Sequence, residues 1–505
     1  MLPLGQIIAR EVLVSNCPTG VAGLDEILAG GLEAGRLFLL EGTPGAGKTT
    51  IATQFLTQGA EAGEPVLYIT LSETEEELRA GAKSHGWTFP PSFTVFELVP
   101  PEALLNDDQQ QSLLYSSDLE LGETTKRIFE AFERIKPTRV VLDSLSEIRL
   151  LAQSSLRYRR QILALKHYFA RHDATVLMLD DLTADVMDKT VHSVAHAVIR
   201  LEELSPTYGA ERRRMRVLKY RGRRYRGGYH DFIIDTGGVR AFPRLVSAEH
   251  RGRFTRETVP IDNAEFNGLI GGGFERGAST LILGPAGTGK SLLTLSFVKA
   301  AIDRGECAAM FVFDEELGLL FDRALGLGID LQAMVDTGHL VIEQIDAAEL
   351  TPGEFSERVR IGVERHKART VVIDSLNGYQ AAMPEEQALI LHMHELLQYL
   401  NRQGVMTFLT VAQHGLVGDM KSPVDVTYLA DTVILLRYFE AFGRVRRAIS
   451  VVKKRMGHHE DTIREFTIGS TGITLGQPLT NFQGVLRGVP TLIGDDARLL
   501  DVTQA

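Results

Sequence analysis

LFLLEGTPGAGKTT, Leu37 to Thr50, and LILGPAGTGKSL, Leu281 to Leu292, follow one plan twice in a single chain. A short apolar run ends in a glycine-rich loop, and the loop closes on Gly-Lys and a hydroxyl residue. Apolar runs of this length bounded by glycine read as buried strands, and the segment after each loop reads as a helix. The likeness runs over some thirty residues without a gap, from Thr19 to Thr50 and from Pro260 to Leu292. Lys48 and Lys290 lie 242 positions apart, and the same shift carries Pro18 to Pro260, Gly31 to Gly273, Gly35 to Gly277 and Gly42 to Gly284. The 505 residues therefore divide into two similar halves, each of single-domain size. The expected boundaries are 1–246 for the first domain, 247–260 for a polar linker, 261–485 for the second domain and 486–505 for a short tail.

Each half alternates strand and helix. Leu37–Leu40, Val66–Thr70, Arg139–Asp143 and Thr175–Asp180 are the expected strands of the first half. Thr280–Leu283, Ala308–Phe313, Thr370–Asp374 and Val405–Val411 are those of the second. Lys48–Ala60, Ser155–Arg171 and Pro384–Arg402 read as helices, and Thr74 with Glu77 has capping-box spacing. Continuous apolar strands between helices imply a mostly parallel sheet covered on both faces. Strand-like runs at Arg216–Lys219 and Ala448–Lys453 add a small antiparallel extension to each.

Composition narrows the function classes. No apolar run approaches the ~18–20 residues of a membrane span, so no membrane is expected. The start, MLPLGQIIAR, lacks the pattern of a secretory signal, and Cys17 and Cys307 are the only cysteines. A reducing cytoplasm fits, and neither a disulfide framework nor a zinc site does. A net charge of −11 disfavours nucleic acid as a constant partner.

GTPGAGKT, Gly42–Thr49, and GPAGTGKS, Gly284–Ser291, both fit the phosphate-binding pattern G-x-x-x-x-G-K-[ST]. Glycines let the backbone curl so that several N–H groups point at phosphate oxygens, and the following helix adds its positive end. Thr43, Gly45, Ala46, Gly47, Lys48, Thr49 and Thr50 are candidate nucleotide contacts in the first half. Pro285, Ala286, Gly287, Thr288, Gly289, Lys290, Ser291 and Leu292 are those in the second. Thr49 and Ser291 would give hydroxyls to Mg²⁺, with Asp143 and Asp374 at the ends of buried strands as the acidic metal partners. Past the second strand of each half come Glu73 in the first and Asp314 and Glu315 in the second. A carboxylate there can orient or deprotonate an attacking oxygen, and acids are also favoured simply by a helix first turn.

Glu211–Arg226 places nine basic residues in the fifteen positions from Arg212. Three readings stay open: a solvated basic face, a nucleic-acid patch, or arginine fingers offered to a neighbouring subunit's nucleotide. K-x-R recurs in both halves, as Lys219/Arg221 and Lys453/Arg455, which favours a role shared by two nucleotide sites. Trp87 reads as packing.

With these motifs in hand, the chain resembles the KaiC family of RecA-like P-loop ATPases over nearly its whole length. The resemblance rests on GLDEILAGGL, both cradles, DSL after both acid strands, K-x-R in both halves and IREFTIG near the end. It implies an α/β fold of two tandem RecA-like P-loop domains. It further implies a double-ring homohexamer with ATP or ADP and Mg²⁺ at subunit interfaces. The first ring would be an ATPase; the second would phosphorylate and dephosphorylate itself. Lys219, Arg221, Lys453 and Arg455 would reach the adjacent subunit's γ-phosphate, and Thr427 and Tyr428 fall at the family's phosphoacceptor pair. The family carries two glutamates where this chain has Ser72-Glu73 and Asp314-Glu315, so Glu73 is the one candidate base of the first half. A KaiB-like or other signalling partner follows from the resemblance. The short tail counts against a KaiA-like one. Two alternatives share the fold: an ATP-gated signalling scaffold with little turnover, and a DNA-stimulated motor.

Overall fold

In the first half, Leu37 and Leu39 face one apolar cluster while Phe38 and Leu40 face another, so this strand is covered on both sides. The second half does the same, with Leu281 and Leu283 in one cluster and Ile282 in its opposite. Side chains alternate across a strand, so uninterrupted apolar runs satisfy two layers of helices at once. The computed structural model describes residues 15–98, 113–182, 190–206, 209–313, 315–382, 386–413, 427–469, 472–487 and 491–493. Among the described residues no helix is long and apolar enough to cross a membrane. The chain divides into two compact units, which meet in sequence between Arg244 and Leu245.

Each unit is built on a nine-stranded sheet. The first runs, edge to edge, Gly238–Phe242, His230–Asp235, Arg212–Tyr220, Ala197–Leu204, Leu37–Gly42, Thr175–Asp181, Arg139–Asp143, Val66–Thr70 and Phe93–Glu97. From Ala197–Leu204 to Phe93–Glu97 the neighbours are parallel, and the other three pairings are antiparallel. The second sheet repeats this order with Gly472–Pro478, Arg464–Gly469, Arg444–Lys454, Thr432–Ala441, Ser279–Gly284, Met406–Ala412, Ala368–Asp374, Cys307–Val312 and Leu340–Gln344. The expected parallel strands form with ends moved by a residue or two, while the antiparallel ones begin four residues earlier than expected, at Arg212 and Arg444. The short edge strands Phe93–Glu97 and Leu340–Gln344 are additions whose half-buried side chains leave little apolar signal.

Expected helices form at Lys48–Glu61, Ser155–Arg171 and Glu386–Arg402. Thr74 caps Glu75–Ser84 with both halves of the capping box made, as its spacing to Glu77 implied. The polar stretch after Arg244 is fastened to the second unit: Ser247 N donates to Glu395 and Gly252 N to the Arg402 carbonyl at 3.1 Å. Thr258–Val259 pairs with Phe274–Glu275. Trp87 packs, as expected, against the first core. Gly238, at φ 98°, leaves it room, since a Cβ there would lie 2.3 Å from the indole.

The basic run is folded into the sheet as Arg212–Tyr220. Arg213 pairs with Glu203 and Glu211, and Arg214 with Glu202, while Arg214 and Arg216 cover the Tyr229 ring at 3.9 and 4.9 Å. Three of its arginines, Arg213, Arg214 and Arg216, are thus paired with glutamates of the same hairpin.

Candidate functional site: two phosphate cradles

Each cradle begins where its strand ends and its helix starts. Gly45 and Gly47 have φ of 83° and 94°, and Gly287 and Gly289 have 76° and 102°. These are left-handed conformations that glycine adopts without a steric penalty. The second glycine of each pair meets a further constraint. A Cβ on Gly47 would lie 2.6 Å from Ile234 Cδ1, and one on Gly289 would lie 2.9 Å from Ile468 Cδ1. Both isoleucines belong to the antiparallel extension, so that extension braces the loop from behind. Helices of 14 residues start at Lys48 and Lys290, with no acidic residue in the first turn. Their open N–H groups and positive ends face the loop.

The lysines are matched. Lys48 Nζ donates to the carbonyls of Gly42 at 3.0 Å and Thr43 at 2.9 Å; Lys290 Nζ donates to those of Gly284 at 3.0 Å and Pro285 at 2.8 Å. Both are buried, and burial lowers the pKa of Lys290, with Asp374 opposing the shift. Beyond these bonds, Lys48 meets Asp181 at 2.7 Å.

Thr49 Oγ1 lies 3.4 Å from Asp143 Oδ2, which also accepts from the Tyr68 hydroxyl at 2.6 Å. Burial lifts the Asp143 carboxyl above its ordinary range and Asp181 adds to the rise, while Tyr68, Lys48 and Thr49 oppose it. In the second unit Asp374 is likewise buried and accepts from Thr410 Oγ1. The structure brings Thr49 and Asp143 together as a hydroxyl–carboxylate pair beside the loop. Such a pair suits a hard divalent cation carried by phosphates, and the left-handed glycines curl the loop so that its backbone N–H groups can serve phosphate oxygens. A nucleotide and its metal therefore fit Gly45–Thr49 with Asp143; in the second unit Gly287–Ser291 and Asp374 hold the matching places, with Asp374 bonded to Thr410 rather than to Ser291.

Glu73 is held by its backbone. Its N–H donates to Thr70 Oγ1 at 2.9 Å, and the same hydroxyl donates to its carbonyl at 2.8 Å. Burial, then Asp143, Glu77 and Asp181, raise its carboxyl above the usual value. A pocket of about 340 Å³ joins Glu73 to Thr49, Thr50, Thr53, His85 and Trp87. Thr53 and His85 escaped sequence reading, and Trp87 was read as packing alone, because only the folded helices bring them beside the cradle. Glu315 pairs with Arg323 at 2.7 Å. Asp314 lies outside the described residues, as do 488–490 and 494–505 of the expected tail.

The K-x-R residues have twin settings. Lys219 pairs with Val198 and Lys453 with Val433, and in each unit a β-bulge shifts the register just beyond that pair, between Val198 and Ile199 and between Val433 and Ile434. Lys219 Nζ donates to the carbonyls of His192 and Ala195, and Arg221 to that of Ser193. Lys453 Nζ donates to the carbonyls of Thr427 and Ala430, and Arg455 to that of Tyr428. Both cation pairs thus rest on their own chain, Lys453 and Arg455 beside the candidate phosphoacceptors and Lys219 and Arg221 beside His192 and Ser193 at the equivalent place.

The family model for the KaiC ATPase matches residues 17–246 and again 260–480. The circadian clock protein KaiC3 of Synechocystis sp. is 27% identical over 483 residues, covering 94% of this chain and 95% of that protein. The circadian clock oscillator protein KaiC of Thermostichus vulcanus is 28% identical over 496 residues, covering 96% and 93%. The protein of the same name from Prochlorococcus marinus is 27% identical over 500 residues, covering 97% and 98%. With both units carrying a formed phosphate cradle and the family model matched twice, the chain belongs to the KaiC family of ATPases.

Proposed function

We propose that this chain assembles as a homohexameric double ring with Mg-ATP between subunits, the first unit hydrolysing ATP and the second acting as an autokinase and autophosphatase. Its setting would be circadian or stress timing, with a KaiB-like or other signalling partner. In the second unit, the γ-phosphoryl of ATP bound by Lys290 would pass to the Thr427 Oγ1 of an adjacent subunit. The new P–O bond forms as the bond to ADP breaks, and the hydroxyl proton goes to Glu315 or Asp314. Tyr428 is the second acceptor, and its side chain is half exposed. In the first unit, Glu73 would take the proton of an attacking water.

One observation carries the kinase reading: the finger residues and the candidate acceptors form one structural piece. Lys453 grips the Thr427 carbonyl at 2.9 Å and Arg455 grips the Tyr428 carbonyl at 2.8 Å. Any assembly that brings these cations to a neighbour's γ-phosphate brings both hydroxyls with them. Incubation with Mg-ATP followed by phosphopeptide mapping should place phosphate on Thr427, and Thr427→Ala should remove it. No modification between Lys421 and Asp431 would sink the autokinase.

A second reading, an ATP-gated scaffold with little turnover, is favoured by Ser72 standing where the family has an acid and by Arg323 holding Glu315. ATPase assays separate the two. The enzyme reading expects Glu73→Gln to lower first-unit turnover by about 10²–10⁴-fold, and Glu315→Gln to do so in the second. A scaffold would turn over slowly before and after.

A further inference from the structure

The strand beside each cradle ends differently in the two units. In the first, Asp181 stands opposite Gly42, and Leu182 N donates to the Gly42 carbonyl at 3.1 Å. In the second, Ala412 stands opposite Gly284, and Gln413 N donates to the Gly284 carbonyl at 3.1 Å. Pairing and hydrogen bond both make Asp181 and Ala412 structural counterparts, and only the first bears a charge.

That charge is placed against the residue that must receive phosphate. Asp181 Oδ1 lies 2.7 Å from Lys48 Nζ, with the lysine side chain 7% exposed and the aspartate 29%. A pair so shielded is weakly screened by water and salt. Among the described residues, Lys290 has no carboxylate partner at ion-pair distance and bonds to its own loop.

A phosphate chain entering the first cradle needs the same ammonium group. It has to draw Lys48 away from Asp181, and it then meets a carboxylate that has lost its counter-ion. A divalent cation carried on the phosphates offsets the repulsion between two anions; a metal-free nucleotide brings no such relief. In the second cradle Ala412 imposes neither the competition nor the repulsion. We propose that Asp181 is a specificity-determining residue that makes the first cradle select metal-complexed over metal-free nucleotide more sharply than the second cradle does. The proposal rests on both cradles being nucleotide sites.

The test uses the full chain with one cradle silenced, by Lys290→Ala to read the first site and by Lys48→Ala to read the second. A fluorescent ATP analogue is titrated in excess Mg²⁺ and again in EDTA. Asp181→Ala and Asp181→Asn should each tighten metal-free binding at the first site by about tenfold, with a much smaller change in Mg²⁺. Ala412→Asp should weaken metal-free binding at the second site by a similar factor. Asp181→Asn keeps the side-chain shape, so it separates lost charge from lost packing, and a melting curve confirms each variant is folded. Equal changes with and without Mg²⁺, or no change, would overturn the role given to Asp181. Failure of either cradle to bind the analogue before position 181 or 412 is touched would instead sink the nucleotide reading itself.

Discussion

One residue before each cradle's first glycine, the two units make opposite choices. Glu41 pairs across the sheet with Asp180 on one side and Arg200 on the other, and its carboxylate binds Arg200 at 2.6 Å and His192 Nε2 at 2.6 Å. The matching position is Leu283, flanked by Val411 and Leu435, all three buried. Asp180 is in turn held by Arg149 at 2.5 Å. Two buried carboxylates, Glu41 and Asp180, with partly buried cationic partners thus replace an apolar patch within the same strand order. Both lysines still donate to the two corresponding loop carbonyls, and both glycine pairs keep positive φ. Cradle shape is therefore set by backbone and glycine, while the residues around it are free to set charge.

The strongest test of this contrast disrupts the network on one side. Glu41→Leu leaves Arg200, 13% exposed, without its partner, and should cost the first unit up to about 3 kcal/mol, read from chemical denaturation. Glu41→Leu with Arg200→Leu copies the second unit at both positions and should recover most of that loss. If the double variant is no better than the single, the two interiors are not interchangeable and the parallel between the units fails at this layer.

A smaller effect concerns pH. Burial, Asp143, Glu77 and Asp181 all raise the carboxyl of Glu73. In the role of base proposed for it, Glu73 must be ionised, so kcat/KM of the first unit should fall as pH drops through a value above the ordinary ~4.3 of a glutamate. Asp181→Asn removes one of the raising charges, and the acidic limb should move down by less than about one pH unit. The second unit, with Ala412 at the equivalent place, supplies the control: Ala412→Gly should leave its own limb where it stands.

How much of this was legible in the chain depends on range. The cradles, the strands ending in Asp143 and Asp374 and the Thr74–Glu77 cap are local patterns, and they stand where their spacing placed them. Glu73 was visible because it comes just after a strand. Asp181 was not, because its meaning comes from lying opposite Gly42, a pairing between positions far apart in sequence. The brace of Ile234 on Gly47 is hidden for the same reason. The arginine run left three readings open because its charge is visible locally, while Glu202 and Glu203, which pair with Arg214 and Arg213, reach it only across a hairpin.

A milder substitution asks whether a buried polar position at the base of the acid strand matters for its chemistry or only for its shape. In the first unit Arg139 stands opposite Val66, and its guanidinium binds Glu64 and the carbonyls of Pro18 and Phe55. Its counterpart is Thr370, opposite Ala308, whose buried hydroxyl has no hydrogen-bond partner among the described residues. A hydroxyl taken out of water without a partner is a penalty with nothing to offset it. Valine has nearly the same volume and lacks that penalty, and its branched side chain suits a strand. Thr370→Val should therefore leave the second unit unchanged or more stable, by up to about 1–2 kcal/mol, while nucleotide binding at Lys290 stays as it was. A loss of stability would mean that Thr370 meets a partner in the folded protein, and that the two units are more alike at this depth than Arg139 and Thr370 make them look.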